Sequence, residues 1–189
     1  IAPWREWKLQ SRTDLIKYAK KNNIPIPKDK KGAPPFSIDD NIFHTSTEGK
    51  VLEDPKNYAP EFIFQRTVSP EKAPNKITRV TISFKNGDPI AVNGKKLSPE
   101  KLLNKLNILA GKNGIGRVDL VENRFIGIKS RGVYETPGGT VLYSAHRAIE
   151  SVTLNKDVAH AKERIMPAYA ELVYNGYWFS KKRIKLQKI

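Results

Sequence analysis

Apolar and polar positions change period several times along this chain, and each change marks an element. Over residues 11–23, Leu15, Ile16, Tyr18 and Ala19 form the apolar face of a helix. Ser11 caps it, with Asp14 three positions later in a variant capping box. Asn22-Asn23 ends it. Ile24-Pro25-Ile26-Pro27 is extended, because proline disfavours helical backbone at the residue before it. The charged segment 28–35, KDKKGAPP, reads as a linker and as the best domain boundary in the chain.

The second region opens with polar turns around residues 37–49. Residues 54–76, rich in Pro, Asn and Lys, read as irregular, with at most one short strand at Phe62 to Thr67. Arg79 to Phe84 then alternates, with Val80, Ile82 and Phe84 on one face. Asn86-Gly87 turns this run into Pro89 to Val92, and Asn93-Gly94 repeats the device, so antiparallel hairpins are predicted. Ser98 caps a helix with Pro99 in its first turn and a stripe of Leu102, Leu103, Leu106 and Leu109, which Gly111 is expected to stop. Residues 117–122 and 124–129 read as two strands meeting at a tight turn. Thr136-Pro137 starts a helix striped by Val141, Ala145, Ala148, Ile149 and Val152. Another helix from about Lys156 is expected to break or kink at Pro167 and resume over Ala168 to Tyr174. Ser180 caps a last helix.

Composition narrows the function classes. The 189 residues suffice for one domain with a real core, or for one domain plus part of another. No apolar run approaches the ~18 residues of a membrane helix. The chain opens on Ile1 rather than Met, so a lost leader stays open. Without cysteine there is no disulfide framework, thiolate chemistry or Cys-based zinc site. His44, His146 and His160 lack close metal-ligand spacing and read as ordinary surface or packing histidines. The net charge of +15 and pI near 9.9 are the footprint of a polyanion binder. The excess is, however, mostly dispersed lysine, clustered only at Lys28 to Lys31 and Lys181 to Lys188. It lacks the basic–aromatic interleaving of a single-strand platform, an RNP motif or a zinc finger. A solvated lysine surface is the simpler reading, although a cleft for anionic nucleotide and carboxylate substrates also gains from positive potential.

Motifs with chemistry are few. Gly111-Lys112 lacks the upstream glycine and following Ser/Thr of a Walker-type loop. Ser-Pro-Glu-Lys, at 69 and at 98, is better explained as a helix or turn start than as a Ser-x-x-Lys nucleophile. Asp119 and Glu122 form an acidic pair without the environment that glycoside hydrolysis requires. Glu122 stands out because it follows Leu120-Val121 at a strand end. It is either a solvated hairpin residue or a carboxylate held for ligand contact. Tyr134, past a glycine, is either a core aromatic with a backbone partner or a site hydroxyl. Ser37 and Ser46 also read as simple turn or capping serines.

Four segments resemble the argininosuccinate synthase family: APWREW at 2–7, SIDDNIFHTSTEGKVLEDP at 37–55, GIGRVDLVENRFIGIKSRGVYETPGGT at 114–140 and YAELVYNGYWFS at 169–180. They occur in family order, span essentially the whole chain, and correspond to the C-terminal part of those enzymes. The resemblance implies an α+β fold, an antiparallel sheet with flanking helices, preceded by a remnant of an α/β nucleotide-binding domain. It assigns residues 1–27 to the tail of that domain and 28–35 to the linker. Residues 36–189 become a synthetase/oligomerisation domain with its C-terminal arm truncated.

The family joins citrulline to aspartate. ATP is cleaved to AMP and pyrophosphate through a citrullyl-adenylate, with ATP a co-substrate carried as Mg-ATP. The pattern places citrulline-binding residues at Ser37, Ser46, Glu122 and Tyr134, and assigns no catalytic residue and no protein-held metal. The glycine-rich pyrophosphate loop has no counterpart in this sequence, so the resemblance implies that this polypeptide alone does not form the adenylate. It further implies a cytoplasmic homotetramer with neither nucleic acid nor membrane as partner. The rival readings are a basic nucleic-acid-binding module and a non-catalytic interaction domain.

Overall fold

The computed structural model describes residues 2–26 and 36–189. The chain divides into two units, Ile1–Ser37 and Ile38–Ile189. In the first, a 3-10 turn at Pro3–Arg5 precedes helix α1, Arg12–Lys21. The capping box forms as expected. Ser11 Oγ accepts from the Asp14 amide at 3.2 Å and donates to Asp14 Oδ2 at 2.8 Å. The Trp7 ring lies 5.0 Å from that of Tyr18. The linker predicted at 28–35 lies outside the described residues.

The second unit has an α+β fold with two antiparallel sheets. Strands β1 (Ser37–Asp40, which begins on the last residue of the first unit) and β2 (Thr45–Glu48) open it. Strands β3 (Ile82–Lys85), β4 (Asp88–Val92) and β5 (Lys95–Lys96) form a small sheet in chain order. Both Asn-Gly pairs turn as predicted, with positive φ at Asn86, Gly87, Asn93 and Gly94, the mirror-image geometry that matches strand twist. The first strand is shorter than the alternating run, beginning at Ile82 rather than Arg79.

Helix α2, Pro99–Lys112, is capped by Ser98 and packs Leu102 and Leu106 against Val92 of β4 and against Val141 and Leu142 of helix α3, Pro137–Thr153. Gly111 does not end α2, which continues to Lys112 with Asn113 as its cap. The glycine instead permits close approach: a Cβ there would sit 2.1 Å from the Arg66 carbonyl oxygen.

Strands β6 (Arg117–Asn123) and β7 (Lys129–Glu135) complete the main sheet, in the order β1-β2-β7-β6. The second strand of this hairpin therefore lies later than the predicted 124–129. Residues 124–128 are the turn, closed by the Arg124 amide on the Ile128 carbonyl at 2.8 Å, with Gly127 at φ 84°. Phe125, Ile126 and Ile128, which read as strand hydrophobics, are exposed on it. Helix α4, Lys156–Tyr174, continues through Pro167 rather than breaking there. Proline in a helix interior costs about 3 kcal/mol. Contacts tie the helix down on both sides of it: Arg147 to Glu163 at 2.7 Å and Lys162 to Glu150 upstream, and Tyr169 to Gln187 of helix α5 (Lys181–Gln187) downstream.

The segment predicted as a strand at 62–67 is a 3-10 turn, Glu61–Ile63, followed by an irregular loop that bends at Gln65 and Arg66. Its amide donors are satisfied by one side chain rather than by a neighbouring strand. Glu135, 2 % exposed, accepts from the Gln65 amide at 2.7 Å, the Arg66 and Thr67 amides at 2.9 Å each, and Thr67 Oγ1 at 2.7 Å. Arg117, register partner of Glu135, closes the other side. It binds both oxygens of Glu61 at 2.7 and 2.8 Å and the Thr67 carbonyl at 2.9 Å, and lies over the Phe64 ring. Truncating Glu135 strands three amides and a hydroxyl at about 1–3 kcal/mol for each buried group. Glu135→Ala should therefore lower unfolding free energy by at least ~3 kcal/mol, measured by urea denaturation. A loss below ~1 kcal/mol would show that the loop is held by something else.

Candidate functional site

Strand alternation gives the main sheet two unlike faces. Thr45, Thr47, Val133 and Glu135 are buried on one. On the other, β2 contributes Ser46 and Glu48, β7 contributes Ser130, Gly132 and Tyr134, and β6 contributes Val118, Leu120 and Glu122. The register sets Ser46 opposite Tyr134, Tyr134 opposite Val118, and Ser130 opposite Glu122.

Tyr134 and Glu122 are thus not register partners but lie diagonally, four register pairs apart on the same face, with Gly132 midway between them on β7. The Tyr134 ring runs along the strand over Gly132, where a Cβ would stand 2.7–2.9 Å from its Cε2, Oη and Cζ atoms. Because that space is empty, the hydroxyl reaches Glu122 Oε1 at 2.5 Å. A second phenol, Tyr174 in the last turn of α4, donates to Oε2 at 2.6 Å. Arg124 stands 3.9 Å from Oε1 and is held away from direct contact by Glu48 at 2.7 Å and Ser130 Oγ at 3.3 Å.

These contacts decide the protonation states. Burial pushes the Glu122 carboxyl up, but the hydrogen bonds from Tyr134 and Tyr174 and the charge of Arg124 outweigh it, so its pKa lies below the ordinary glutamate range. The Tyr134 phenol moves strongly up, through burial and then through its bond to the carboxylate. Tyr174 also moves up, chiefly through its bond to Glu122. The stable arrangement is therefore an ionised carboxylate flanked by two protonated phenols. Both phenol hydroxyls donate to Glu122, leaving acceptor lone pairs on the phenol oxygens and on the carboxylate that these bonds do not use. This surface accepts hydrogen bonds and suits a ligand rich in N–H donors, above all a cationic one.

Of the four predicted residues, Ser46, Glu122 and Tyr134 come together on this face. Ser46 lies in a strand rather than a turn, and Tyr134 meets a carboxylate rather than a backbone partner. Ser37 is the exposed first residue of β1 and belongs to the first unit. Sequence reasoning missed Arg124, Glu48 and Tyr174 as neighbours of Glu122. Only Arg124 carried a signal, its position two residues after the carboxylate. The acidic pair separates: Asp119 points to the opposite face, bound through both oxygens to Arg131 at 2.8 Å each. His44 is a packing residue, its ring 6.1 Å from that of Tyr134. Among the described residues, no group of three or more His, Asp or Glu side chains could hold a metal ion, and no helix is long and apolar enough to cross a membrane.

Residues 36–189, which contain this face, match the family model described as the arginosuccinate synthase C-terminal domain. The chain belongs to the argininosuccinate synthase family. It is 82 % identical over 189 residues to the argininosuccinate synthase of Pelagibacter ubique, covering the whole of this chain and 48 % of that protein. It is 63 % identical over 187 residues to that of Mesorhizobium japonicum, covering 99 % of this chain and 46 % of the relative. The chain therefore spans about half the length of the curated relatives it matches.

Two outcomes test the geometry. Gly132→Ala should push the Tyr134 ring off the strand and break its bond to Glu122 at a cost in stability of about 1–3 kcal/mol. The broken bond should appear as an upward move of the Glu122 carboxyl titration in NMR, and an unmoved titration would contradict the packing described. The second outcome concerns stability. A carboxylate whose pKa is depressed by folding contributes stability that is present above its unfolded value, about 4.3, and lost as pH falls through its folded value. Urea unfolding of the parent chain should therefore weaken more steeply below about pH 4.3 than that of Glu122→Gln, which lacks this contribution.

Proposed function

We propose that this chain supplies the citrulline-binding part of an argininosuccinate synthase. In that reaction citrulline is activated by ATP to a citrullyl-adenylate, with release of pyrophosphate, and the aspartate amine then displaces AMP. The observation that carries this reading is the acceptor-rich face formed by Ser46, Tyr134 and the ionised Glu122, in a chain of this family. A citrulline molecule presents an α-ammonium group and a ureido NH2, both donors, and so complements such a face. Ser37 joins the citrulline contacts in this reading.

Activation at the ureido oxygen requires no protein nucleophile. What the residues of this chain contribute is orientation: fixed acceptors hold the donor end of the substrate, so that the ureido oxygen projects toward the α-phosphate. Glu122 supplies the charge-assisted contact, and the phenols keep it ionised throughout. ATP, carried as Mg-ATP, and aspartate are bound elsewhere in the complete enzyme, which is proposed to be a cytoplasmic homotetramer in arginine biosynthesis.

Joining this chain to the N-terminal half of the Pelagibacter ubique relative, in place of that protein's own C-terminal half, makes the test direct. The chimera should form argininosuccinate from citrulline, aspartate and ATP. Glu122→Gln in it should weaken kcat/KM for citrulline by ~1.5–3 kcal/mol, the range for a hydrogen bond to a charged group, with KM for ATP little changed. Unchanged citrulline kinetics would remove Glu122 from the site.

A further inference from the structure

The sheet by itself does not fix the Glu122 carboxylate. Tyr134 engages only Oε1, and the terminal torsion of a glutamate is broad and roughly two-fold. A carboxylate held by one donor can therefore pivot about that bond. The second donor comes from an element 52 residues away: the Tyr174 hydroxyl lies 2.6 Å from Oε2.

Tyr174 is well placed for this. It is the last residue of α4, where Asn175 caps the helix and Gly176, at φ 78°, turns the chain. The turn is closed by the Tyr177 amide on the Leu172 carbonyl at 2.8 Å, and it sets the Tyr177 ring edge-on to Phe125, 6.2 Å away, at the tip of the β6–β7 hairpin. The end of α4 thus grips the hairpin twice, at its apolar tip and at its carboxylate. Tyr174 remains 49 % exposed, so its hydroxyl lies at the open surface rather than in a core. Arg124, at 3.9 Å, and Glu48, bound to it, are the charged groups facing Glu122 from the β6–β7 turn and from β2, and His44 stands beyond the Tyr134 ring.

We propose that Tyr174 is a positioning residue for Glu122, its hydroxyl locking the carboxylate plane that Tyr134 alone leaves free to turn, and so making the end of α4 part of the ligand site. The proposal rests on the citrulline reading only for the identity of the ligand captured.

The test has two parts, chosen to separate the two claims. In the 189-residue chain, NMR follows the Glu122 carboxyl titration in the parent and in Tyr174→Phe, which keeps the ring and removes only the donor. The midpoint should rise in the variant, with the urea unfolding midpoint at neutral pH lowered only by the amount that the shifted titration accounts for. Reciprocally, in Glu122→Gln the Tyr174 phenol should ionise at lower pH than in the parent. If neither titration moves, the proposal is overturned. In the chimera, Tyr174→Phe should raise KM for citrulline about tenfold while changing kcat less, as expected for loss of orientation of a binding group. A shifted Glu122 titration with unaltered citrulline kinetics would support the positioning role and count against citrulline as the ligand. Altered kinetics with both titrations unmoved would overturn the positioning role and leave the citrulline reading standing.

Discussion

Glu135 is the constraint on which the rest of the second unit depends. A glutamate only 2 % exposed is tolerable because four donors from one loop converge on its two oxygens. The arrangement welds residues 65–67 to the end of β7 and makes one face of the main sheet the buried face. Side chains alternate along a strand, so once Glu135 and Val133 are fixed inward, Tyr134 must face outward. The register to β2 and β6 then carries the same choice to Ser46 and Glu122. A slip of one residue in either pairing would exchange the faces and put the acceptors in the core.

The open face is organised around a charge kept without a close, bidentate salt bridge. Glu122 is ionised, yet its strongest partners are two neutral phenols, while Arg124 is engaged by Glu48 and remains at 3.9 Å. A guanidinium in bidentate contact would have filled the acceptor positions that stay open here. Asp119 shows the alternative: its carboxylate is held through both oxygens by Arg131 on the opposite face. Two acidic residues three positions apart on one strand thus have opposite fates because a strand's period is two.

Local chemistry was legible from the chain wherever it acts over a few residues. Both Asn-Gly turns, the Ser11, Ser98 and Ser180 caps and the leucine stripe of α2 form as their residue types require. The misplaced elements are those in which an apolar or glycine signal had a tertiary cause. Residues 124–129 read as a strand from their apolar content, but Gly127 takes positive φ and 124–128 become an exposed turn. Gly111 looks like a helix stop and is instead the gap into which the Arg66 carbonyl fits. Residues 62–67 look like a strand because their donors do need partners, but the partner is a side chain 68–70 residues away.

Sequence alone determined the α+β class, the hairpins and the family, and through the family it pointed to Ser37, Ser46, Glu122 and Tyr134. These depend on periodicity, turn chemistry and long matching segments, all of which are written in consecutive residues. Only the tertiary structure decided that Tyr134 lies along its strand over a glycine to reach Glu122, and that Tyr174 arrives from α4 to hold the other oxygen. A carboxylate's orientation and charge are set by whatever donors converge on it in space. Here those donors stand 12 and 52 positions away, beyond the reach of any local pattern.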